Sequence, residues 1–153
     1  MITVSLYNCK DKAIRAHLKE AAAFYIKRLL PRKKRLLVKI YLKEGLLEKD
    51  GMSGSCSVDD YAVNRRHYEF NVHVEPTLEL EEMLSILAHE LTHVKQYATG
   101  QLLYDRRKPE ISIWEGVRYD DSEIEYEDQP WEIDAVYYEE LLLEEFKKTV
   151  DWI

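Results

Sequence analysis

Residues His89-Glu90-Leu91-Thr92-His93 constrain this chain more than any other stretch. Two histidines four apart lie one turn apart on the same face of a helix. The surroundings agree with that geometry. Leu84, Ile86, Leu87, Leu91 and Val94 recur at helical spacing, small Ala88 precedes the first histidine, and Gly100 offers a C-terminal stop. The predicted helix starts at Pro76-Thr77 with Thr77 as its cap, carries Glu79, Glu81 and Glu82 near the positive end of its dipole, and runs to about Ala98.

The rest of the chain alternates between two periods. Ile2, Val4 and Leu6 alternate with Thr3, Ser5 and Tyr7, which predicts a strand. From Asp11, a plausible N-cap, the residues Ile14, Leu18, Ala21, Ala22, Tyr25 and Leu29 form one helical face that ends at Pro31. Strands are predicted over Leu36 to Leu42, over Val58 to Val63 and over Glu69 to Val74, the last with Phe70, Val72 and Val74 pointing one way. Gly45 to Ser57 holds two turn dipeptides and reads as a loop. One strand is expected within Ile111 to Tyr119. Pro130 opens a last helix, with Ile133, Val136, Tyr137, Leu141 and Phe146 as its apolar side. The expectation is one α+β domain over residues 1–153, since no repeat, low-complexity linker or composition break divides the chain.

Charge narrows the partners. The 153 residues carry a net charge of −7, with a pI of about 5.3, which disfavours charge-driven binding to DNA or anionic membranes. The cluster Lys27, Arg28, Arg32, Lys33, Lys34 and Arg35 reads as a solvated helix end rather than a nucleic-acid patch. No apolar run approaches the roughly 20 residues of a membrane helix, and none reads as a signal peptide. Cys9 and Cys56 lack metal-ligand spacing, and two cysteines make no disulfide framework. A reduced, cytoplasmic setting is expected.

Zinc favours imidazole and carboxylate ligands in tetrahedral array. His89 and His93 can share one ion, and Glu90, rotated about 100° from His89, is better placed to reach a water on that ion than to bind it. A carboxylate there can act as general base, which is the mechanical content of the H-E-x-x-H pattern. The third ligand must come from elsewhere. Pro130-Trp131-Glu132-Ile133-Asp134-Ala135 stands out, because Glu132 falls in the first turn of a helix and shares a face with small Ala135. Trp131 and Val136 are expected to bury the surroundings. Asp134 is the rival ligand, or a partner that orients a histidine.

These two stretches together, His89 to Gln96 and Pro130 to Ala135, resemble the small gluzincin-type peptidases, including SprT-like, ImmA-like and short phage-encoded metallopeptidases. Lys95 departs from the pattern, which commonly has an apolar residue there. The resemblance implies His89, His93 and Glu132 as zinc ligands, Glu90 as the base acting on a zinc-bound water, and peptide-bond hydrolysis of a peptide or protein substrate. It implies a zincin-like fold, with a small twisted sheet packed on the active-site helix between N-terminal and C-terminal helices. It also implies an edge strand lining the cleft, for which Glu69 to Val74 is the candidate. The alternative is a regulatory or binding domain of the same fold, associated with protein–DNA complexes, with restricted or no proteolysis. His73 is expected to face solvent, and His17 and His67 to be surface residues. Tyr119, Tyr126, Tyr137 and Tyr138 are all candidates for an oxyanion donor, and no spacing selects among them. Trp114 and Trp131 read as packing residues.

Overall fold

The computed structural model describes residues 1–46, 53–59 and 67–149. Among the described residues the fold is α+β: a mixed four-stranded sheet, a small antiparallel sheet and three α-helices, one of them near each end of the chain. Strand β1 (Ile2–Tyr7) leads into helix α1 (Lys12–Leu29), which crosses back to β2 (Leu36–Leu42). Strands β3 (Gly54–Val58) and β4 (Glu69–Val74) follow, then helix α2 (Leu80–Ala98). Three short strands, β5 (Leu102–Tyr104), β6 (Ile111–Trp114) and β7 (Val117–Asp120), precede helix α3 (Pro130–Thr149).

The larger sheet has the order β1-β2-β4-β3. The first three strands are parallel, and β3 runs antiparallel to β4. Alternation decides which face is covered. Val38, Ile40, Phe70, Val72 and Val74 are fully buried against α1 and α2. The other face carries a row of rings, Tyr7 stacked on Tyr41 at 4.9 Å and Tyr41 on His73 at 5.3 Å. His73 therefore lies away from the core, as its strand position predicts.

Asp11 caps α1 as expected, its carboxylate accepting from the amides of Ala13 and Ile14. Tyr25, fully buried near the C-terminal end of that helix, donates its hydroxyl to Leu84 O of α2 at 3.1 Å. Phe146 of α3 packs edge-on against Tyr25, so all three helices share one core. Surface ion pairs join their ends, Arg28 to Glu145 and Lys147 to Glu81. The basic cluster is partly consumed here: besides Arg28, Lys33 donates to Ala98 O and Arg35 lies over the Tyr68 ring.

Several expectations change. Glu69–Val74 is not an edge strand, because β2 and β3 flank it; among the described residues β3 takes the edge. Strand β3 at Gly54–Val58 turns part of the expected loop into strand. Residues 47–52 of that loop, and residues 60–63 of the strand expected over Val58 to Val63, lie outside the described residues. Helix α2 begins at Leu80 behind Glu79, so Thr77 is not its cap. Buried Glu75 holds the preceding turn instead, accepting from the amides of Gly45 and Thr77. Ile111 to Tyr119 contains two strands, joined where Glu115 and Gly116 both take left-handed backbone angles (φ 49° and 84°), the pattern of a tight hairpin turn. His67 is buried, stacked on Tyr104 at 5.6 Å. His17 is bonded to Ala13 O on α1. No helix among the described residues is long and apolar enough to cross a membrane.

Candidate metal centre

Helices α2 and α3 pack along each other, and the site lies between them. The face that α3 buries keeps Phe146 of the expected apolar side but not Ile133, Val136 or Tyr137. Trp131, Glu132, Ala135, Leu142 and Phe146 are buried, whereas Ile133, Val136 and Tyr137 are at least half exposed. Val136 therefore does not shield the site. Ala135 is fully buried, and having no side chain beyond Cβ it lets the helices approach closely. One turn away, that approach sets Glu132 against the two histidines.

His89, His93 and Glu132 form a candidate metal site, with one ligand atom from each lying within 4.8 Å of the others. His89 Nε2 stands 3.0 Å from Glu132 Oε1. His93 Nε2 stands 3.2 Å from the same carboxylate. The rings meet edge to face at 5.0 Å, so their nitrogens converge rather than stack. The remaining ring nitrogens point outward to partners. His93 Nδ1 is 2.8 Å from Gln96 Oε1, and His89 Nδ1 is 3.6 Å from Glu139 Oε2. The bond from Gln96 to Nδ1 leaves His93 Nε2 to face Glu132, and His89 presents its own Nε2 to the same carboxylate. This donor set, two imidazoles and one carboxylate, with the outer nitrogen of His93 held by Gln96, suits a divalent metal ion.

The electrostatics are those of a buried carboxylate set between two histidines. Burial works against charging His89, but the carboxylates of Glu132 and Glu139 outweigh it and push its pKa up to about 10. His93 is raised in the same way, mainly through Glu132. Burial would raise Glu132, yet the two histidines hold it far below the usual carboxylate range. Either protons or a metal ion can supply the positive charge that this carboxylate needs.

Glu90 is buried beside the triad on α2 and is not among its ligands. Burial pushes its carboxyl up, against the pull of His93 and His89. Asp134, the rival ligand, is not in the cluster either; its carboxylate accepts from Gln96 Nε2 at 2.9 Å. Of the four tyrosines, only Tyr126 has its hydroxyl bonded to a member of the triad, donating to Glu132 Oε1 at 2.7 Å. Burial and that bond raise its pKa, so it stays a neutral donor. Tyr119 packs edge-on to Trp131, Tyr137 packs against Tyr138, and Tyr138 lies under the ammonium of Lys95.

Gln96 and Glu139 had no role in the sequence reading. The available signal is helical spacing: Gln96 follows His93 by three, and Glu139 follows Glu132 by two turns, so each shares a face with a ligand. Comparison with protein-family models, with curated proteins and with solved structures finds no match for this chain. The molecule is thus defined by its own geometry, an α+β fold holding a candidate metal centre of two histidines and one glutamate.

Proposed function

We propose that this chain is a zinc-dependent peptidase. The observation that carries the reading is the convergence of His89 Nε2, His93 Nε2 and the Glu132 carboxylate, with Glu90 buried beside them. Atoms bound at zinc distances in a tetrahedral array stand about 3.4 Å apart, close to the 3.0 and 3.2 Å found here. Three protein ligands leave a fourth position open, which is the hallmark of catalytic zinc; structural sites fill all four. Bound zinc would supply Lewis acidity, polarising a carbonyl and making water acidic near neutral pH.

The chain's own residues divide the remaining work. Glu90 takes the proton of the attacking water and returns it to the leaving amine. A carboxylate suits that exchange when its pKa is raised towards the working pH, as burial does here. The Tyr126 hydroxyl is the donor for the oxygen of the substrate carbonyl as charge develops on it. Strand β3 is the edge of its sheet among the described residues and crosses α2 beside Glu90. An extended peptide can pair with such an edge through main-chain hydrogen bonds. Burial and nearby Glu90 push the Cys56 thiol well above the usual range, which disfavours it as a nucleophile.

Glu90→Gln tests the reading. The variant should hold zinc as the parent does and lose cleavage of an unfolded protein such as casein by about 10²- to 10⁴-fold, the usual worth of a general base. Full cleavage by this variant would remove the proposed mechanism.

A further inference from the structure

We propose that Gln96 is a positioning residue that fixes the tautomer of His93 and the placement of Glu132 at once. The inference rests on reading the triad as a metal centre. Gln96 is completely buried and sits between α2 and α3. Its Oε1 meets His93 Nδ1 at 2.8 Å, and its Nε2 meets both Trp131 O and Asp134 Oδ2 at 2.9 Å.

The partners determine which way the amide faces. A peptide carbonyl can only accept a hydrogen bond, and so can an ionised carboxylate. The NH₂ group must therefore face Trp131 and Asp134, and the oxygen must face His93. That oxygen accepts only, so His93 must carry its proton on Nδ1 and present an unprotonated Nε2 when neutral. The backbone of α3 thus dictates, through one amide, which nitrogen of an α2 histidine is the ligand.

The second effect is positional. Trp131 immediately precedes Glu132, so the bond to Trp131 O clamps the first turn of α3 against α2 beside the third ligand. The two histidines are held unequally. His93 has a tight, buried amide, whereas His89 has a longer approach to Glu139, which is partly exposed. Only glutamine combines one acceptor and two donors at this reach. Glutamate would lose the Trp131 bond and set a second carboxylate against Asp134; methionine would keep the volume and lose every bond.

Zinc affinity, measured by competition with a chromophoric chelator, tests this. Removing an outer partner of a metal-bound histidine typically costs about 10- to 100-fold in affinity, and Gln96→Met and Gln96→Glu should each show a loss of that size. The double variant Gln96→Glu/Asp134→Asn should recover part of it, because the amide introduced on α3 then supplies a donor and the charge clash is gone, while the bond to Trp131 O stays lost. A residue that merely filled space would shift the melting temperature and leave both the affinity and this rescue untouched. Wild-type affinity in Gln96→Glu, or no recovery in the double variant, overturns the inference. If Gln96→Met fails to fold, the glutamate pair decides alone. Absence of zinc binding by the wild type would instead sink the metal-centre reading.

Discussion

Gly54 of β3 lies directly over Glu90 of α2: a Cβ at position 54 would stand 3.3 Å from Glu90 Cγ, 2.5 Å from Ile86 Cγ2 and 2.9 Å from His73 O. The edge strand can lie this close to the helix because residue 54 has no side chain. His73 O is backbone of the neighbouring strand and cannot move aside cheaply. Gly54→Ala should therefore push β3 off the helix and destabilise the fold by about 1–3 kcal/mol, the usual cost of overpacking. Chemical denaturation of the two proteins measures it. A stability unchanged within error would mean that the contact is looser than described.

Tyr126→Phe separates a catalytic donor from a structural one. The hydroxyl donates to Glu132 Oε1, yet the residue is 59% exposed, so its ring contributes little to the core. Zinc stoichiometry should remain that of the parent, while kcat falls by about 10²- to 10³-fold, the typical cost of losing one oxyanion donor. Steady-state kinetics with metal analysis on the same sample reads both. Loss of zinc together with kcat would assign the hydroxyl to holding Glu132 instead.

The proton–metal competition makes a signed prediction about pH. In chelator-treated protein the pKa of His89 is raised from 6.5 to about 10. A group raised on folding stabilises the fold fully below its unfolded value, and that contribution is lost as pH climbs through the folded one. The metal-free melting temperature should thus fall between pH 6.5 and about 10. Glu132 acts in the opposite sense: its pKa is depressed, so its contribution is present above the ordinary carboxylate range and lost in acid. Zinc should displace the protons, raise the melting temperature by linkage and flatten the alkaline decline. The core formed by the sheet and three helices does not pass through the site, so chelation should lower the melting temperature without unfolding the chain. Thermal melts across pH, with and without chelator, check all of this. Complete unfolding on chelation would make the metal structural and count against an enzyme.

The legible parts of the molecule were those governed by local periodicity. The faces of β2 and β4 follow from strict alternation, and α1 from its cap and apolar stripe. The H-E-x-x-H spacing and the Glu132–Ala135 face led to the three residues that converge. What was missed depends on which element lies beside which. Gly-Ser-Cys-Ser-Val has a loop's composition, and only pairing with β4 makes it a strand; the same pairing moves the sheet edge from β4 to β3. On α3, Ile133, Val136 and Tyr137 look like a core face, but packing against α2 selects the side bearing Ala135, Leu142 and Phe146. Gln96 is an ordinary polar helix residue until α3 supplies Trp131 O and Asp134 as its partners.

Zinc titration of the wild type beside Glu132→Ala tests the central claim most directly. The triad should bind one zinc per chain in the wild type, measured by elemental analysis after dialysis. Glu132→Ala leaves two protein ligands and should bind far more weakly, since the lost group stands within 3.2 Å of both histidines. Wild-type protein that retains no zinc after reconstitution, or Glu132→Ala protein that binds it as tightly as the parent, would contradict a metal centre formed by His89, His93 and Glu132.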